Sequence, residues 1–154
     1  MESLEENMEA STFGSIVHDV LETLYKRFVG MTIHDADFDG FKLELDALID
    51  AAIIKLYNSN FELAGFDIIM RRIVKRMIEV VLEYDQKQFN EARNEGQERL
   101  VNGVEVELMA ELPMDKIGVD IPARVRGKAD RVDEQAGNFI VLDYKTGSVK
   151  PDEL

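Results

Sequence analysis

The chain has no cysteine. Disulfides and a cysteine-ligated iron–sulfur cluster are therefore excluded, and a cytoplasmic location is expected. No apolar run approaches the roughly 20 residues that span a bilayer, so no membrane partner is expected. The opening MESLEENMEAS is acidic and lacks an apolar segment, which excludes a secretory signal there. No phosphate-binding glycine loop or Walker-type lysine is present, which argues against a nucleotide-binding α+β module. Positive charge is also scarce. Lys and Arg number 18 against 31 Asp and Glu, a formal net charge of -13. Such a balance argues against a broad nonspecific nucleic-acid surface, because phosphate binding needs basic side chains. Local basic clusters remain at Lys26–Arg27, Arg71–Arg72, Lys75–Arg76 and around Arg124, Arg126, Lys128 and Arg131.

With 154 residues, 45% of them hydrophobic, the chain can build one domain with a core. Residues 11–96 read as helical. Ser11 or Thr12 is placed to cap a first helix, with Phe13, Val17, Val20, Leu21, Leu24 and Phe28 on one stripe and Gly30 as its stop. Residues 32–40, TIHDADFDG, read as a solvated connector; the Asp35-x-Asp37-x-Asp39-Gly40 fragment lacks the glutamate that closes a calcium loop. A second helix is expected over 41–57, broken by Asn58–Ser59–Asn60. A third is expected from Phe61 to about Glu91, with Ile68, Ile69, Ile73, Met77, Val80, Val81, Tyr84 and Phe89 as its apolar residues and Met70, Met77 and the isoleucines read as core. Its Arg71, Arg72, Lys75 and Arg76 form a basic strip, either a solvated face or a contact for DNA or a partner.

After Asn94 the period changes from helical to two. Val104, Val106 and Leu108 alternate with Glu105, Glu107 and Met109 in a half-buried strand beginning near Arg99. A loop holding Pro113 and Gly118 follows, and Pro122 opens the next strand. Residues 127–147 read GKADRVDEQAGNFIVLDYKTG. Two alternating runs, 123–132 and 138–145, flank turn chemistry at 133–138, so a β-hairpin is expected.

That hairpin ends in charge. Asp143 and Lys145 are two apart and share a side of the strand, while Tyr144 takes the other. Asp130 can come level with Asp143. Two carboxylates suit a hard divalent cation such as Mg²⁺ or Mn²⁺. A neighbouring lysine can steady developing negative charge, which is the equipment of phosphodiester hydrolysis. A solvated strand end with Asp–Lys pairs is the other reading. Upstream, Gly14–Ser15–Ile16–Val17–His18 puts a glycine one turn before a histidine. His18 is either a boundary residue packing on Leu21 or Tyr25 or a metal ligand.

The GxxxH helix followed by GxxDRxD, a turn and DYKTG resembles the PD-(D/E)XK nuclease superfamily, most closely its RecB/AddB-like branch. The resemblance implies a restriction-endonuclease-like α/β core, α+β in appearance, with helices before a short, mainly antiparallel sheet over 99–147. Residues 1–154 then form a single partial nuclease domain. The family's downstream Gln–Tyr helix and the rest of the core do not follow Gly147, which leaves a sheet edge open to self-association. By the same resemblance, Asp130, Asp143, His18 and the Tyr144 backbone carbonyl bind Mg²⁺ or Mn²⁺. Lys145 acts with Asp130 and Asp143 in catalysis. A glutamate on the first strand, Glu107 in preference to Glu105, adds a possible ligand. Asp133 is expected to hold Arg131. The implied function is metal-dependent exonuclease or endonuclease cleavage of DNA in repair or recombination. The implied partner is a helicase-like region of the same full-length chain or a helicase subunit. A noncatalytic DNA-binding or assembly domain of the same fold is the alternative.

Overall fold

The computed structural model describes residues 2–57, 66–112, 118 and 123–146. Helix α1 spans Glu2–Lys26. Ser11 and Thr12 do not cap it but lie inside it. The preceding residues include Glu, Leu, Met and Ala, all strong helix formers, with no glycine or proline to stop the turn. Ile16, Val17, Val20, Leu21, Leu24 and Tyr25 are all buried. Each such aliphatic side chain contributes about 1.5–3 kcal/mol on burial. One of them outweighs the roughly 1 kcal/mol that Gly14 costs the helix.

Helix α2 runs Asp35–Tyr57, six residues earlier than its apolar pattern suggested. The expected solvated connector is instead its first turn. His34 starts it: Asp37 N and Phe38 N donate to the His34 carbonyl at 3.0 and 3.1 Å, and His34 N donates to Asp37 Oδ2 at 2.9 Å. The reciprocal cap and the acids in the first turn suit the positive end of the helix dipole. Asp35 also accepts from Gln86 and Asn90 of the third helix at 2.8 and 2.9 Å. These bonds occupy two of the three carboxylates, Asp35 and Asp37, that a calcium loop would use.

Helix α3 spans Phe66–Asn94. Its buried seam is Met70, Val74, Ile78, Leu82, Asp85, Phe89 and Ala92. The stripe expected from the sequence was mostly the wrong one. Ile68, Ile69, Ile73, Val80 and Tyr84 are exposed. Two apolar stripes run along this helix, and the exposed one is the richer in isoleucine. Gly96, at φ 74°, closes the helix; Gln97 N reaches back to the Ala92 carbonyl at 2.9 Å.

Strands β1 (Arg99–Leu112), β2 (Ala123–Gln135) and β3 (Asn138–Leu142) form an antiparallel sheet in that order. Ala136 and Gly137 alone make the β2–β3 turn, both at positive φ (52° and 79°). This geometry matches the twist of a two-residue hairpin, so the expected longer turn shrinks and β2 lengthens. Arg131 pairs with Leu142, which brings Asp130 level with Asp143 just beyond the ladder. The sheet docks on the helices through Val101, Val104 and Tyr144. Val101 also bridges the α1–α2 connector, accepting from Gly30 N at 2.7 Å and donating to the Met31 carbonyl at 3.0 Å. The expected break at Asn58–Ser59–Asn60, the third-helix start at Phe61, the strand-opening Pro122, Pro113 and Gly147 lie outside the described residues. Among the described residues, no helix is long and apolar enough to cross a membrane.

Candidate metal centre

Three elements meet where β2 crosses α1. His18 comes from the middle of α1, Asp130 from β2 and Glu105 from β1. One ligand atom from each lies within 4.8 Å of the others. The side chains are partly buried, His18 at 32% exposure and Asp130 at 12%, so the group is shielded yet reachable.

Tyr144 ties the group together through its backbone. Its amide donates to Asp130 Oδ2 at 2.7 Å. Its carbonyl oxygen stands 3.2 Å from His18 Nε2. The other imidazole nitrogen, Nδ1, stands 3.1 Å from Asp130 Oδ1. Both ring nitrogens therefore face oxygen acceptors. A neutral imidazole has one N–H and satisfies only one of them. One imidazole nitrogen and two carboxylates form a donor set compatible with a divalent metal.

Gly14 sits one turn before His18, and its role is close packing. A Cβ there would lie 3.0 Å from Thr146 Oγ1. The glycine thus lets the segment after β3 approach α1.

Glu105, not Glu107, reaches the group. Strict alternation puts both on one face, but Glu105 has φ 51°, in the left-handed region. That residue interrupts the pleat beside Asp130. Glu107 remains exposed and opposite Lys128. No propensity argument places a positive φ on a glutamate inside a strand. Lys128, noted from sequence only within a basic cluster, holds Glu105 Oε2 at 2.6 Å. Its own pKa is raised, chiefly by that hydrogen bond. An L-residue held in the left-handed region costs about 1–3 kcal/mol. Glu105→Gly relieves the strain and loses an ion pair whose lysine end is exposed. Thermal unfolding of the metal-free chain should show it more stable by about 1 kcal/mol, while metal binding weakens.

Asp143 and Lys145 stand beside the group. Lys145 Nζ is 2.6 Å from Asp143 Oδ2, and both side chains are exposed. The two aspartates share a hydrogen bond, and their titrations diverge. Burial raises Asp130; the Tyr144 amide opposes this and Asp143 adds to it. The Lys145 hydrogen bond, then that of Asp130, lowers Asp143. Asp130 therefore binds its proton more tightly in the folded chain than in the unfolded one. Its stabilising contribution is complete below the unfolded value of about 3.9 and is lost as pH rises through the raised value. The Asp143 contribution has the opposite sense, present above the unfolded value and lost as pH falls through the lowered one. Carbon-13 titration of metal-free chain should place the Asp130 midpoint above ordinary aspartate, and Asp143→Asn should lower it. An unmoved midpoint in that variant contradicts the coupling.

Beyond Lys145 a cleft of about 550 Å³ opens between α1 and α3, lined by Val17, Arg72, Arg76, Met77, Lys145 and Thr146 among others. The basic strip is partly spent on acids. Arg71 pairs with Asp50, Lys75 with Asp46 at 3.1 Å and Arg76 with Glu83 at 3.2 Å.

A model of the PD-(D/E)XK nuclease superfamily matches residues 1–154. No curated protein and no solved structure gives a match. The helical half followed by a short antiparallel sheet accords with a restriction-endonuclease-like core.

Proposed function

The chain belongs to the PD-(D/E)XK nuclease superfamily, and from that premise we propose that it is a Mg²⁺- or Mn²⁺-dependent deoxyribonuclease domain of the RecB/AddB-like branch. The observation that carries this reading is the gathering of His18, Glu105 and Asp130, with Lys145 beside them on Asp143. His18, Glu105 and Asp130 would hold the cation, with Asp143 and the Tyr144 carbonyl adjoining. When bound, the cation acidifies a water and offsets charge on the phosphate.

The chain's own groups do the rest. The Tyr144 amide fixes one Asp130 oxygen and leaves the other facing His18. Asp143 holds the Lys145 ammonium at the rim. From there Lys145 orients the attacking water and donates to the phosphate oxygen as negative charge develops.

DNA is the substrate, cut from an end or internally, in repair or recombination in the cytoplasm. The net charge of -13 leaves most backbone contacts to a helicase-like region of the full-length chain or to a helicase subunit. Residues 1–154 act as one domain. The outer side of β3 carries no ladder partner among the described residues, and Phe139 and Val141 are exposed there. This edge suits strand pairing with another chain or another copy.

A second reading, a noncatalytic DNA-binding or assembly domain, rests on the two lysines, which already neutralise Glu105 and Asp143. End-labelled linear DNA with the full-length protein separates the two. Cleavage in Mg²⁺ or Mn²⁺ that stops with chelator supports the nuclease. DNA binding without cleavage in either metal supports the second reading.

A further inference from the structure

We propose that Asp85, Arg131 and Tyr144 form a buried relay that positions the candidate metal ligands His18 and Asp130. The proposal rests on the metal-site reading above, yet its first test needs no metal.

Arg131 is fully buried. Its guanidinium has five N–H donors, and five bonds use them. Nε and Nη2 donate to Asp133 at 2.9 and 3.0 Å. Nη1 and Nη2 donate to Asp85 at 2.7 and 3.0 Å. Nη1 also donates to the Tyr144 hydroxyl at 3.2 Å. The cation lies 4.1 Å from the Tyr25 ring centroid, and the Tyr25 hydroxyl donates to Asp85. Asp133 is held from its other side by Arg99 Nε at 2.9 Å. The guanidinium is thus fixed from α1, α3, β1 and β2 at once.

Tyr144 is the member of this network that touches the metal group. Its hydroxyl is bound to Arg131. Its ring meets His18 edge-on, with centroids 5.7 Å apart. Its amide and carbonyl face Asp130 and His18. The β2–β3 ladder ends at Arg131 and Leu142, two residues before Tyr144. No ladder bond therefore sets the Tyr144 backbone. The ring, anchored at its far end by Arg131, sets it instead. Buried ion networks contribute little net stability relative to apolar packing, so positional control gives this one a use.

Asp85 and Arg131 are positioning residues, acting through Tyr144. Two variants of the full chain test them, Tyr144→Phe and Asp85→Asn. The first keeps the ring and removes the acceptor. The second loosens Arg131 from the α3 side without touching Tyr144. Amide hydrogen exchange of the metal-free chain should quicken at residue 144 by about tenfold or more in both, with the buried α1 amides of Leu21 and Leu24 unchanged. Calorimetry should show Mn²⁺ affinity about tenfold weaker, the scale of losing a partner behind a ligand. Unchanged exchange at residue 144 in either variant overturns the relay. Faster exchange spread equally over α1 also overturns it, because the network is then only structural. Localised faster exchange with no Mn²⁺ binding by the unmodified chain upholds the relay and sinks the metal reading instead.

Discussion

Lys145→Ala in the full-length protein should lower single-turnover cleavage of linear DNA at saturating Mg²⁺ by about 10²-fold or more, the scale of a lost transition-state donor. DNA binding measured in Ca²⁺ should stay close to that of the unmodified protein. The reason is position. Lys145 lies outside the His18–Glu105–Asp130 group, and as a cation it adds nothing to a metal shell. It is exposed at the rim with Asp143 at 2.6 Å, where the proposed nuclease reading brings the substrate phosphate. If Lys145 only offsets the Asp143 charge, its loss removes a competing cation. Metal affinity then rises and cleavage at saturating metal stays near normal. That result would remove Lys145 from the mechanism.

Arg131→Met should destabilise the chain by about 3–5 kcal/mol in urea unfolding, the cost of leaving buried charge without its partner. This is a large share of the 5–15 kcal/mol typical of a domain. Burial is the largest single influence and opposes the guanidinium charge, but Asp85, Tyr25 and Tyr144 together outweigh it and the Arg131 pKa is raised. Methionine leaves Asp85 with only the Tyr25 hydroxyl, which burial keeps protonated and donating. Asp133 retains Arg99. The deficit should therefore sit mainly on Asp85, and Asp85→Asn added to Arg131→Met should recover part of it. A single variant within 1 kcal/mol of the unmodified chain would contradict the account of the network.

The change from helical to two-residue period after Asn94 carried the fold class. Val104, Val106 and Leu108 announce β1, and the β2–β3 hairpin follows from alternation around Ala136–Gly137. Helix starts were less visible. Residues 32–40 are mostly polar, with Ile33 and Phe38 too sparse to show a helical stripe, so the α2 start at Asp35 depends on the His34–Asp37 cap, a local geometry that composition masks. On α3 two apolar stripes compete; Met70 reads as core from the sequence, but only packing against α1 and α2 selects Val74 and Leu82 with it. One signal was present and unused. Asp85 falls in the buried seam between Leu82 and Phe89, and an acid on an apolar seam implies a buried cation, here Arg131.

The candidate site divides in the same way. The GxxxH, GxxDRxD and DYKTG motifs point to His18, Asp130, Asp143, Tyr144 and Lys145, and the fold brings these residues to one strand end. Alternation puts Glu105 and Glu107 on one face and does not distinguish them; the left-handed backbone at Glu105, which breaks the pleat, does. The Lys128–Glu105 pair depends on that same local twist.

Mn²⁺ titration calorimetry on the unmodified chain and on Asp130→Asn tests the central claim most directly. The substitution keeps shape and an acceptor for the Tyr144 amide, so the fold should stand while a charged oxygen ligand goes. The account predicts saturable Mn²⁺ binding by the unmodified chain and its loss in Asp130→Asn. Equal affinity in both would place any bound metal elsewhere and contradict the assignment of His18, Glu105 and Asp130.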